Sequence, residues 1–77
     1  MQARLLGDFG QRLRALRDER GMTQMELAHD AGLHPTYLGS VENGERNVAL
    51  INLYGLAQAL KVEIADLLPP VPKRRIE

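Results

Sequence analysis

Leu6, Phe9, Leu13 and Leu16 recur at 3-4-3 spacing, which places them on one face of a helix. Gly10 lies on the same side, where a missing side chain permits a second helix to approach closely. Gly21 ends this helix as the residue just past its C-terminus. Thr23 then stands as an N-cap with Glu26 three residues on, a capping box. Leu27, Ala28 and Ala31 form the buried side of the helix that follows.

Gly32 suits a tight turn with positive φ. Beyond it, Pro35 fits the first position of a third helix, where its missing N–H costs nothing. His34 would be its cap, a poorer one than Ser or Asp. Leu38 and Val41 face inward, and Gly44 stops the helix after Asn43. Residues 24–43 therefore hold two short helices joined by a turn, with small and apolar residues where the two must cross. That is the shape of a helix-turn-helix, whose second helix can enter a DNA major groove.

A fourth helix runs through Leu50, Leu53, Leu56, Ala57 and Leu60. Val62, Ile64, Leu67 and Leu68 suggest a short fifth, and Pro69, Pro70 and Pro72 end helical structure. The expected fold class is all-α, five helices with short connections in one compact domain. The expected limits are an N-terminal arm over 1–5, the helix-turn-helix domain over 6–68, and a Pro-rich, basic tail over 69–77, which ends in KRRIE.

The chain has 77 residues, one domain at most, near the lower limit for folding without staples. It has no cysteine, so disulfides and thiolate metal sites are excluded. His29 and His34 supply too few ligands for a closed metal site, and no metal or other cofactor is expected. No long apolar run suggests a membrane span or a signal peptide, so a cytoplasmic protein without membrane contact is expected. No nucleophile–base–orienter set appears: His29 and Asp30 are adjacent and point apart on a helix. An enzyme is not expected. Net charge is zero, which is awkward for a nucleic-acid binder. Residues 1–20 carry +2, residues 21–47 carry −3, residues 48–68 carry −1 and the tail +2. The DNA-reading segment is thus acidic overall, and the placement of individual charges must carry any DNA binding.

Three runs, LRxLRxERGMTQxELA, AGLHPTYLxxVENGERN and LxxLAxAL, span most of the chain from Phe9 to Leu68. In them the chain resembles the Cro/cI (phage-repressor, lambda-repressor-like) type of helix-turn-helix, also called the xenobiotic-response-element family. TYL followed by VENGERN is similar to small single-domain members, including the controller proteins of restriction–modification systems and short phage or plasmid repressors. The resemblance implies that Gln24 contacts a DNA phosphate. It implies that His34, Pro35, Thr36 and Tyr37 begin the recognition helix, where base edges and nearby phosphates are read, and that Ser40 faces the groove one turn on. Arg46 and Asn47 match a loop that meets the DNA backbone. Arg17 and Glu42 match an ion pair tying the first helix to the third.

Each assignment has a plainer counterpart. Gln24 is a good helix former that serves equally as a solvated residue, although a helix N-terminus favours phosphate. Thr36 and Ser40 bond either their own backbone or a base or phosphate. Tyr37 is either a packed aromatic or a phosphate contact through its hydroxyl. Pro35 has no side-chain donor and makes no bidentate base contact, so part of the specificity would rest on DNA shape. Arg46, alone between Arg20 and Lys61 as a Lys or Arg, is either a solvated loop charge or a phosphate contact.

One recognition helix buries too little to select a single genomic site. A homodimer on a palindromic double-stranded operator is therefore expected, with Ile51, Tyr54, Gly55, Ile64 and Leu68 as its candidate interface. Ile51 and Tyr54 fall off the inward stripe of the fourth helix, and Gly55 signals close approach by another element. RNA polymerase is a candidate further partner, through Glu42, Glu45 or the loop around Asn43. The alternative reading is an antitoxin or other protein-interaction module on the same fold, which the acidic middle segment and Pro35 favour.

Overall fold

The computed structural model describes residues 2–71. Five helices follow one another: α1 (Gln2–Glu19), α2 (Gln24–Ala31), α3 (Pro35–Glu42), α4 (Leu50–Leu60) and α5 (Ile64–Leu67). The described residues contain no strand. The expected all-α, five-helix architecture is the observed one. Phe9, Leu13, Leu27, Ala28, Leu38, Val41, Leu56, Ala57, Leu60 and Leu67 form a single buried core to which every helix contributes. Six of these are leucines with no exposed surface. Each such burial is worth about 2 kcal/mol against an exposed reference.

The turn chemistry follows the sequence. Thr23 and Glu26 cap reciprocally, Glu26 N–H to Thr23 Oγ1 at 3.1 Å and Thr23 N–H to Glu26 Oε1 at 2.8 Å. Gly32 ends α2 at φ 73°, where only glycine sits without strain, and Leu33 N–H reaches back to Ala28 O at 2.7 Å. His34 does cap α3: its Nδ1 accepts from Thr36 N–H at 3.1 Å. Pro35 follows as the first helical residue.

Two glycines fix the crossing of α1 over the end of α3. A Cβ at Gly10 would fall 2.6 Å from Val41 O and closer still to Glu42 O. Gly44, at φ 77°, lies so near α1 that a Cβ there would meet Gly7 Cα at 2.9 Å.

Four expectations need correction. Residues 2–5, expected as an arm, are helical, because Leu5 and Leu6 line an apolar groove with Phe9, Val48, Leu53, Leu68 and Pro69. Leu50, grouped with the inward stripe of α4, is 70% exposed. Gly55 does answer a close approach, but inside the chain: a Cβ there would stand 2.9 Å from Ala31 O of α2. Ile64, expected at the dimer interface, packs half-buried against the core of its own chain. Of the tail, Pro69–Val71 is non-helical, and the KRRIE segment lies outside the described residues.

α1 also fastens the C-terminal half through two arginines. Arg20 Nε donates to Leu60 O at 2.6 Å, and Arg12 Nε to Asp66 O at 2.6 Å. Both carbonyls lie at helix C-termini, which lack intrahelical partners. Lys61 then turns the chain between α4 and α5 in the left-handed region, at φ 59°.

Candidate nucleic-acid interface

At about 100° per residue, α3 sends Leu38, Val41 and Glu42 inward and Thr36, Ser40 and Asn43 outward as one stripe. Tyr37 and Gly39 sit on either side of that stripe. The sequence reading included Thr36 and Ser40 but missed Asn43, which the i, i+4, i+7 spacing alone would have placed beside them.

The Gly39 flank carries Gln24. Its amide lies against α3 where Gly39 has no side chain; a Cβ there would be 3.7 Å from Gln24 Oε1. Gln24 Nε2 donates to Glu42 Oε1 at 2.9 Å. That uses one of its two N–H groups and leaves the other, with the exposed amide oxygen, for an outside partner.

Glu42 is held from behind by Arg17. Arg17 Nε donates to Glu42 Oε2 at 2.7 Å and a second guanidinium nitrogen to Oε1 at 3.1 Å. Arg17 also donates to Met22 O at 2.8 Å and pairs with Asp18 Oδ1 at 3.2 Å. The hydrogen bond to Glu42 raises the Arg17 pKa from its ordinary value, against an opposing effect of burial. The predicted ion pair is therefore present and extends through Glu42 to Gln24, a link the sequence did not announce. No buried side-chain nitrogen or oxygen among the described residues lacks a hydrogen-bond partner.

The other flank carries Tyr37, Arg46 and Asn47. Tyr37 is half-buried and packs on the core. Its hydroxyl donates to Asn47 O at 3.5 Å and accepts from Asn52 Nδ2 at 3.4 Å. The Arg46 guanidinium stands over the Tyr37 ring, 5.5 Å from its centroid, a cation–π arrangement that leaves its N–H fork exposed.

Ser40 Oγ donates to Thr36 O at 3.2 Å, so its lone pairs remain for an incoming donor. His34 Nδ1 accepts a hydrogen bond only in the neutral tautomer that carries its proton on Nε2. The cap thus turns an N–H outward at the start of α3. All eight residues expected at the interface lie on α3 or its N-cap, on the first turn of α2 or on the loop after α3. Pro35 contributes backbone geometry but no hydrogen-bond donor. Among the described residues no group of three or more His, Cys, Asp or Glu side chains could hold a metal ion. No helix among them is long and apolar enough to cross a membrane.

The fold and this exposed helix define a helix-turn-helix DNA-binding protein. The helix-turn-helix family model HTH_3 matches residues 13–67, and the chain belongs to that family. It is 44% identical over 61 residues to an uncharacterized HTH-type transcriptional regulator, y4dJ, of Sinorhizobium fredii, covering 79% of each chain. It is 43% identical over 61 residues to the control protein C.BamHI of Bacillus amyloliquefaciens, covering 78% of this chain and 75% of that one. Among solved structures it is similar to the restriction-modification controller protein C.AhdI from Aeromonas hydrophila. That likeness has a TM-score of 0.81 and 49% identity, over 82% of this chain and 96% of that one. The chain is a DNA-binding transcriptional regulator of this family, and the relatives it matches are controller proteins, repressors and other transcriptional regulators, not enzymes.

Proposed function

We propose that the chain acts as a homodimer on a palindromic double-stranded operator, with α3 of each protomer in a major groove and half-sites about 10 bp apart. The carrying observation is the outward stripe of Thr36, Ser40 and Asn43 with Gln24 on one side and Arg46 and Asn47 on the other. Short hydroxyl and amide side chains in the middle suit base edges, whereas the flanking groups suit phosphates. Ser40 accepts from a base amino group, because its own proton is already committed to Thr36 O. His34 offers Nε2–H and Tyr37 the edge of its phenol at the groove entrance. With Pro35 in place of a longer donor, the base-reading set is small, and sequence-dependent DNA shape supplies part of the specificity.

Two copies meet through the outer face of α4. Leu50, Ile51 and Tyr54 are 70%, 80% and 58% exposed, and Leu68 lies beyond them at 41%. A large apolar set left outside so small a core marks an interaction surface. A self-complementary patch of this kind produces the two-fold symmetry that a palindrome mirrors.

Selection of duplexes from a randomised library, followed by salt titration on the enriched sequence, tests this reading. A two-fold symmetric consensus whose affinity falls steeply with salt is the expected result. Failure to enrich any sequence at modest salt would overturn it and favour a protein-interaction module on the same fold.

A further inference from the structure

We propose that Asn52, a half-buried residue of α4, is a positioning residue for DNA reading: it fixes the Tyr37 phenol, and through the phenol ring it sets the place of the Arg46 guanidinium. The proposal rests on the interface assigned above to Tyr37 and Arg46.

A phenol has one proton to give and lone pairs to receive. Tyr37 gives its proton to Asn47 O at 3.5 Å, so its partner on the other side must be a donor, and Asn52 Nδ2 at 3.4 Å is that donor. Both contacts are long, and neither alone would hold a ring. Together they tie α3, the loop after it and α4 at one oxygen atom. The ring face then serves as a platform for Arg46, whose charge sits 5.5 Å from the centroid. A surface arginine without such a platform explores many rotamers and must give up that freedom on binding. Here the order is supplied in advance by a residue that faces the protein and not the DNA. The same helix carries Ile51 and Tyr54 on its outer face, so the tether also refers the reading head to the surface through which two copies meet.

The test is a double-mutant cycle on affinity for the duplex that the wild-type chain enriches from a randomised library. Tyr37→Phe, Asn52→Ala, the double variant and Arg46→Ala are compared by fluorescence anisotropy. Measurements are made at a temperature where circular dichroism shows every variant folded. A merely structural Asn52 would move the melting temperature but not this cycle. Asn52→Ala should weaken binding about fivefold, the usual effect of one lost hydrogen bond, and Tyr37→Phe, which loses both bonds of the phenol oxygen, at least as much. The double variant should be no weaker than Tyr37→Phe alone, because that variant already removes the link that Asn52 makes. Wild-type affinity in Asn52→Ala, or losses that multiply to about 25-fold in the double variant, would overturn the proposal. If Arg46→Ala and Tyr37→Phe both bind as wild type, the DNA-facing reading of this flank falls and the role of Asn52 falls with it. If they weaken binding and Asn52→Ala does not, only the role of Asn52 falls.

Discussion

Arg17 and Glu42, 25 positions apart in sequence, meet through two hydrogen bonds of 2.7 and 3.1 Å, with the carboxylate side chain only 1% exposed. Gln24 joins the same carboxylate at 2.9 Å, so one buried group braces both helices of the reading head. Removing one partner of a buried pair leaves the other charge uncompensated and costs about 3–5 kcal/mol. Glu42→Ala should therefore lower the melting temperature and weaken DNA binding together, and Glu42→Gln should do both less. Thermal melts and binding curves on the same samples check this; lost binding with unchanged melting would contradict it. The pH dependence has a definite sign. A raised Arg17 pKa gives stability that is present below the unfolded value and lost only as pH rises through the folded one, far into the alkaline range. Denaturant midpoints of the wild type should show no loss from Arg17 between neutral and moderately alkaline pH.

Two glycines on one helix should respond oppositely to alanine. Nothing lies within 4 Å of a Cβ built on Gly7, so Gly7→Ala gains helix propensity and should stabilise by roughly 1 kcal/mol. A Cβ on Gly10 would meet backbone carbonyls of Val41 and Glu42, which cannot swing aside as a side chain would. Gly10→Ala should force α1 off α3 and destabilise by about 1–3 kcal/mol despite the same gain in propensity. Urea denaturation of the two variants separates these outcomes, and a stable Gly10→Ala would show that the crossing is looser than the structure depicts.

The central part of this fold was legible in the sequence because its signals are local. The capping box at Thr23 and Glu26, the left-handed Gly32 and Pro35 at the start of α3 each declare a helix end within four residues of chain. The ion pair of Arg17 with Glu42 was legible only through the family resemblance, since nothing in the spacing brings them together. What escaped depends on distant partners. Among the described residues α1 reaches back to Gln2, where Leu5 and Leu6 find Leu53, Leu68 and Pro69 some fifty or sixty residues on. Gly55 announced a close neighbour but not which one, and that neighbour is Ala31 of the same chain. Lys61 occupies a left-handed position with no glycine to signal it. Asn43 carried a usable signal, its spacing from Thr36 and Ser40, that went unread.

The exposed face of α4 gives a prediction that separates assembly from folding. Ile51 is 80% exposed, so a carboxylate there disturbs no core contact. Ile51→Glu should leave the helical circular dichroism spectrum unchanged while sedimentation equilibrium reports half the wild-type mass. The concentration dependence of melting, which a dimer shows by mass action, should disappear. Operator affinity should collapse, because each half-site alone is too small to hold a protomer. Gly55→Ala provides the contrast: its Cβ strikes Ala31 O, so it should lower stability at any protein concentration. A wild-type mass for Ile51→Glu would move the dimer surface away from this face.

Arg46 tests how the chain binds DNA without a net positive charge. It is the one Lys or Arg between Arg20 and Lys61, and it stands exposed over Tyr37 at the edge of the reading helix. If it neutralises a phosphate, it releases a counterion, and each such contact contributes about 0.9 to the slope of log affinity against log salt. A dimer holds two copies, so Arg46→Ala should make the slope shallower by about two while leaving the preferred base sequence intact. Arg46→Lys keeps the charge but loses the planar fork and its stacking on the ring. It should therefore keep the wild-type slope at reduced affinity. Anisotropy titrations at four or more salt concentrations, roughly spanning the range in which the Debye length falls from 30 to 8 Å, distinguish the three chains. An unchanged slope in Arg46→Ala would make Arg46 a solvated charge. The phosphate contacts would then rest on other groups, among them Gln24 and the helix N-termini, whose hydrogen bonds release no counterions of their own.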